Sequence, residues 1–325
     1  VAHDLDFTTG RQAIAFAGVA PWHRFGAQID PESPIEVWSQ KAGLAWIAQK
    51  ADVMYGPLVD DEMRKIPNRV ALYRSDTGGF LSIVSDEYKV VQPLQILQFM
   101  NDMVNRAGFR MEVAGSLLGG RKIWALARVN DGAPVVGKDI VRPYILAATS
   151  YDGTMASTFK FTTIRVVCNN TLRMAVSEAS KKDGAVVDCV RVNHYDHLDV
   201  DEVRRKLGIV HDAWDRFIVN ARLLAESKVT RSFAQDFLAK VLPHPNYRPI
   251  EETRAYRKIL ALFEGAEPMD TMPESKGTAW ELLNSVTWYV DHVMGRKDSR
   301  LDAAWFGRGD EIKARAAEAL VEAVS

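Results

Sequence analysis

Apolar and polar positions change period several times along this chain, and each change marks an element. RVALYRSD at 69–76 and FLSIVSDEYKVV at 80–91 alternate in the two-residue rhythm of strands, with DTGG at 76–79 as the turn between them. From Pro93 the rhythm lengthens. Leu94, Leu97, Met100, Met103 and Val104 recur at helical spacing up to Gly108. FRMEVAGSLL at 109–118 and RKIWALARV at 121–129 predict a second hairpin, closed by Gly119 and Gly120. Residues 130–139 read as an exposed turn. YILAATSYD at 144–152 and FKFTTIRVVC at 159–168 predict two further strands, and Asn169-Asn170 reads as the cap of a helix beginning near Thr171. Nearer the start, Ser33, Pro34 and Glu36 have the form of a cap, a first-turn proline and a capping-box acid for a helix to about Lys41. LAWIAQKADVMYG at 44–56 reads partly as a strand.

After about residue 199 the helical period dominates. Leu207, Val210, Trp214, Phe217, Leu223 and Leu224 form one apolar side over nearly thirty residues. Further helices are expected at 230–241, 251–264, 277–294 and 310–323, with HPNYRP at 244–249 breaking the chain. Long crossovers between strands are missing, which disfavours a doubly wound parallel sheet. The fold class expected is α+β: a largely antiparallel hairpin-and-helix front with an α-helical C-terminal region. Residues 1–199 form the α+β domain, and 200–325 form a helical region able to pack as part of it.

The chain of 325 residues is long enough to bury a large core. Lys and Arg number 41 against 42 Asp and Glu, which excludes uniform polycation behaviour but not a locally basic groove. Only Cys168 and Cys189 occur, too few for a disulfide framework or a four-thiolate zinc site. VAHDLDFTTGRQ has no basic-then-apolar leader, and no stretch approaches the ~18 apolar residues of a membrane span. A cytoplasmic location without membrane contact is expected.

No complete catalytic signature is present, and no catalytic residue, cofactor or metal is assigned. His194 and His197 frame HYDH with Asp196, and His292 is a conceivable further ligand. His-x-x-His alone lacks the glutamate and third ligand of a zincin. Cys168 as a nucleophile, and Asp152 with Asp188 as an acid–base pair, each lack a positioned partner. Gly119-Gly120 with Arg121-Lys122 could seat a phosphate, but no P-loop or dinucleotide fingerprint accompanies them. The tryptophans read as packing anchors. The more suggestive pattern is basic. Arg110, Arg121, Lys122 and Arg128 fall on neighbouring strands, and Lys160, Arg165 and Arg173 come from the central segment. A subset on one sheet face could hold phosphates while Tyr151, Phe159 or Tyr88 stacked on bases.

PWHRFG at 21–26, AGLAW at 42–46, LSIVSDEYKVVQP at 81–93 and above all SYDGTMASTFKFTTIRVVCNNTLRMA at 150–175 resemble the phage- and plasmid-associated domain of unknown function 932 family. GTAWELLNSVTWYVDH at 277–292 resembles its C-terminal pattern, and WHRFG departs from the more glycine-rich WHGLG form. A looser fold-level likeness is to Rad52-like single-strand annealing proteins, with strands 69–74, 80–91 and 109–129 and helix 93–107 as the corresponding unit. The family resemblance implies a phage or plasmid setting, and the Rad52-like likeness implies single-stranded DNA binding or annealing in recombination, by a protein able to form homo-oligomers. Phosphate contacts fall to Arg121, Lys122, Lys160, Arg165 and Arg173, and stacking to Tyr151 and Phe159. The alternatives are a metal-dependent enzyme using His194, Asp196, His197 and His292, or a structural or host-interaction protein of a mobile element.

Overall fold

The computed structural model describes residues 6–7, 10–18, 26–56, 62–165, 171–172, 189–194, 196, 199–207, 210–244, 247–267, 269, 273–295, 303–305 and 307–325. Two sheets and a helical bundle share one core. The larger sheet has nine strands: β1 (Ile14–Ala17), β2 (Ala27–Ile29), β6 (Arg110–Leu117), β7 (Lys122–Arg128), β8 (Ala133–Val136), β9 (Asp139–Ser150), β10 (Ser157–Arg165), β11 (Thr171–Leu172) and β12 (Cys189–Val192). Its path runs β11-β10-β9-β7-β6-β1-β2, with β12 beside β10 and β8 beside β9. Every pairing is antiparallel except β1 with β2. The smaller sheet joins β3 (Ala48–Tyr55), β4 (Arg64–Arg74) and β5 (Phe80–Ser85) in that order.

Helix α1 (Ile35–Lys41) starts one residue later than expected, with Pro34 as the cap and no side-chain cap bond. Helix α2 (Pro93–Ala107) follows its sequence signals closely. Gln92 closes a capping box with Gln95, Pro93 opens the first turn, and Gly108 ends the helix in the left-handed region at φ 70°. The Gln92 side chain also bonds the backbone N–H and C=O of Ala48 at 2.9 and 3.1 Å, tying α2 to the start of β3. Ile96, Leu97, Phe99 and Met100 pack with Ile123, Ala125, Ile145, Ala147 and Phe159 of the large sheet.

The opposite face of that sheet is also covered. Ile14, Leu117, Trp124, Leu126, Tyr144, Leu146 and Ala148 form a second cluster, against which Met155 and Trp305 pack. A sheet buried on both faces loses the rule that polar residues in strands point to water.

The helical region comprises α3 (Val200–Leu207), α4 (Val210–Glu226), α5 (Arg231–Val241), α6 (Arg254–Phe263), α7 (Ala279–His292) and α8 (Arg308–Val324). Helix α7 is buried on nearly every side, as befits the centre of a bundle. Thr278 caps it by accepting the Glu281 N–H, and Glu281 accepts the Gly277 N–H. Asp291 holds Lys313 of α8 at 2.8 Å, both buried.

Some expectations are corrected. Thr171–Leu172 pairs with β10 as a strand where a helix start was read, and part of 130–139 is β8. The Asn169-Asn170 cap lies outside the described residues. The strands at 69–74 and 80–85 sit in a different sheet from 110–128, so the unit compared with Rad52-like proteins does not form one curved sheet.

Candidate nucleic-acid interface

The residues singled out along the central strands do not converge in an open groove. Phe159 is fully buried and packs its ring 4.5 Å from that of Phe99. Tyr151 is fully buried too. Its hydroxyl donates to the Val91 carbonyl at 2.9 Å, and its ring lies 5.3 Å from Trp46. Burial holds that phenol's pKa well above its ordinary value. Neither ring presents a face to a base, which corrects the stacking role given to them.

The cations divide. Lys160, 4% exposed, donates to the Trp305 carbonyl at 2.6 Å and pairs with Asp310 at 3.0 Å. Lys122 is buried opposite Ser150. Their phosphate roles are corrected for the same reason as the rings: a lysine sealed inside a two-sided sheet cannot reach a polymer backbone. Arg121 is exposed. The side chain of Arg165 and the whole of Arg173 lie outside the described residues. Arg128 is held by Glu112 at 3.0 Å and Asp131 at 3.5 Å. The Gly119-Gly120 turn faces inward, since a Cβ on Gly120 would lie 3.1 Å from Arg74 and 3.3 Å from Trp46.

The histidine set fares no better as a metal centre. His194 stacks on Tyr88 at 4.3 Å, and its Nδ1 and Nε2 lie 3.2 and 3.0 Å from the carbonyls of Lys89 and Met155. Both ring nitrogens are directed at backbone carbonyls rather than at a shared site with Asp196 or His292. His292 packs against Trp288, and Asp196 is exposed. His197, Cys168 and Asp188 lie outside the described residues. Among the described residues no cluster of three or more His, Cys, Asp or Glu side chains could hold a metal.

A different surface combines cations with an exposed ring. Helix α6 buries Tyr256, Ile259, Leu260, Leu262 and Phe263, so its other face is turned to water. Arg254, Arg257 and Lys258 stand three and four residues apart on that face. Thr253 caps the helix by accepting the Tyr256 N–H at 3.2 Å, and the buried Ile250 anchors the 3₁₀ turn before it. Ahead of that turn Tyr247 is 80% exposed, with the Arg248 guanidinium 5.4 Å from its ring centroid.

Arg248, Arg254, Arg257 and Lys258 line a shallow groove of about 520 Å³ together with Glu252 and Glu267. Lys258 is tied to Glu267 at 2.6 Å. Arg257 Nε donates to the Glu251 carbonyl at 3.2 Å, which orients the guanidinium without neutralising it. Arg248, Arg254 and Arg257 make no ion pair with any described carboxylate, so the groove keeps an uncompensated positive charge. The signal was in the sequence as RPIEETRAYRK, but HPNYRP reads first as a break and the three-four spacing of its cations went unread.

The model of one protein family, Domain of unknown function (DUF932), matches residues 80–307. The chain belongs to the DUF932 family. The DUF932 match runs from β5 to the residue before α8, so both the central strands and the Arg-lined groove fall within it. No curated protein and no solved structure matches the chain.

Proposed function

We propose that the chain binds single-stranded nucleic acid along the groove of α6, in the service of annealing or recombination in a phage or plasmid. The observation that carries this reading is the meeting of three unpaired arginines with the exposed ring of Tyr247. Guanidinium groups take phosphate oxygens as a planar fork, and an exposed aromatic ring accepts any base on its face. No reactive centre is needed for such a task. The phage or plasmid setting rests on the resemblance of the chain to its family. Arg121, Arg165 and Arg173 stay candidate phosphate contacts on a second segment.

Fluorescence anisotropy with a labelled oligothymidine strand over a salt series tests the reading. The affinity falls as salt rises. In Arg254→Ala/Arg257→Ala the slope of log K against log salt flattens by about 1.4, at roughly 0.7 per lost single-strand phosphate contact. Tyr247→Ala weakens binding by about 1–3 kcal/mol. An absence of binding at low salt, or an unchanged slope in the double variant, overturns it. Strand-annealing assays on the same proteins then separate annealing from simple binding.

A further inference from the structure

A second, more enclosed site lies where β10 and β12 meet Trp305 and Asp310. Thr158, Lys160, Cys189, Arg191, Trp305 and Asp310 contribute to the walls of a cavity of about 330 Å³. The strand register builds it. Cys189 stands directly opposite Lys160, and Arg191 opposite Thr158, so these four side chains share one face of the sheet. The same face carries Trp124, and the Trp305 ring meets Trp124 edge-on at 4.8 Å.

The charges can be followed one by one. Lys160 is compensated by Asp310 at 3.0 Å, in the first turn of α8, and by the Trp305 carbonyl. Arg191 is exposed and makes no ion pair among the described residues. One uncompensated guanidinium therefore faces a cavity that also offers an indole and a half-buried thiol. The volume is at the lower end of small-molecule sites and too confined for a polymer. A single spare positive charge matches a monoanion better than a phosphate dianion, and the flat two-oxygen geometry of a carboxylate fits the guanidinium fork.

The geometry points to a binding site for a small apolar carboxylate, its charged end on Arg191 and its body against Trp305 beside Cys189. This site is independent of the groove on α6 and of what that groove binds.

Benzoate serves as the probe, with benzyl alcohol and inorganic phosphate as controls, and Cys189 as the reporter in a Cys168→Ser background. Benzoate slows alkylation of Cys189 by iodoacetamide in a saturable way, about tenfold at ten times its half-protecting concentration. It also raises the midpoint of thermal unfolding. Both effects vanish in Arg191→Ala and return in part in Arg191→Lys. Equal protection by benzyl alcohol removes the anion-binding role of Arg191. Protection by phosphate alone overturns the carboxylate assignment. Neither protection nor a thermal shift at millimolar benzoate overturns the site. If Arg191→Ala does not fold, Arg191→Lys carries the comparison, and unchanged benzoate affinity in it counts against the guanidinium fork.

Discussion

The indole Nε1–H of Trp280 donates to the Asp139 carboxylate at 2.9 Å, across 141 positions of the chain. Both residues are fully buried. Asp139 opens β9 and Trp280 lies in the first turn of α7, so this bond joins the sheet to the middle of the helical bundle. Asp139→Ala leaves the indole N–H without that acceptor, and the expected cost is about 1–3 kcal/mol. In urea the midpoint falls while the slope stays constant. Fluorescence and far-ultraviolet circular dichroism trace one shared transition, because sheet and helices lose their common core together. Two separated transitions in the parent protein would contradict this coupling.

The pair between Lys160 and Asp310 is a structural element of the sheet's covered face. Its side chains are 6% and 13% exposed. Removing one partner strands a charge in a low-dielectric site, so Asp310→Ala is expected to cost about 3–5 kcal/mol. Lys160→Met/Asp310→Leu removes both charges and recovers most of that loss. Chemical denaturation of the two single variants and the double variant measures the coupling. A double variant as unstable as either single one rules out charge compensation as the reason for the pair.

The same residues show what the chain's pattern could and could not reveal. Helix α2 was legible because apolar period, proline and terminal glycine agree. The hairpin of β6 and β7 was legible because glycines at positive φ close it. In β10 the alternation correctly separates Phe159 and Phe161 from Lys160 and Thr162. It does not reveal that the polar side is also covered. That cover comes from Trp305, 145 residues beyond Lys160, a distance no local pattern spans. A lysine ending on a distant carbonyl and carboxylate looks, in sequence, the same as one ending in water. The groove on α6 was missed for the opposite reason, since its cations are local but straddle a proline-rich break.

Arg74 links acid sensitivity to one defined carboxylate. Its Nε and Nη2 donate to Asp76 at 3.0 and 2.8 Å, and its Nη1 donates to the buried Asp6. The hydrogen bonds from Arg74 hold the Asp76 carboxyl below its ordinary value. A carboxylate depressed in the folded state stabilises fully above its unfolded pKa of about 3.9, and the contribution is lost as pH falls through the folded value. Asp76→Asn is therefore less stable than the parent at neutral pH, and the two converge in acid. Urea midpoints between about pH 6 and pH 2 test this. A stability gap that stays constant across that range contradicts the assignment.

From the outer face of the small sheet, association between copies of the chain is expected. Cross-strand register places Gln49, Tyr73 and Phe80 in one row and Ala51, Ala71 and Ile83 in the next, all on the side turned away from the core. Phe80 is 56% exposed and Ile83 52%, and Ile47 extends the same surface at 56%. Contiguous apolar surface of this kind favours association, and a net charge of only −1 supplies little repulsion between copies. Both β3 and β5 are sheet edges, so strand pairing between copies is open as well. The expected occupant is a second copy of the chain. Phe80→Glu/Ile83→Lys then shifts native mass and light-scattering profiles toward the monomer, and the helical content stays the same. Phe80 and Ile83 are both more than half exposed, so the unfolding free energy changes by about 0.5 kcal/mol or less. A parent protein that is monomeric at high concentration, or an oligomer that survives both substitutions, removes this face from the assembly.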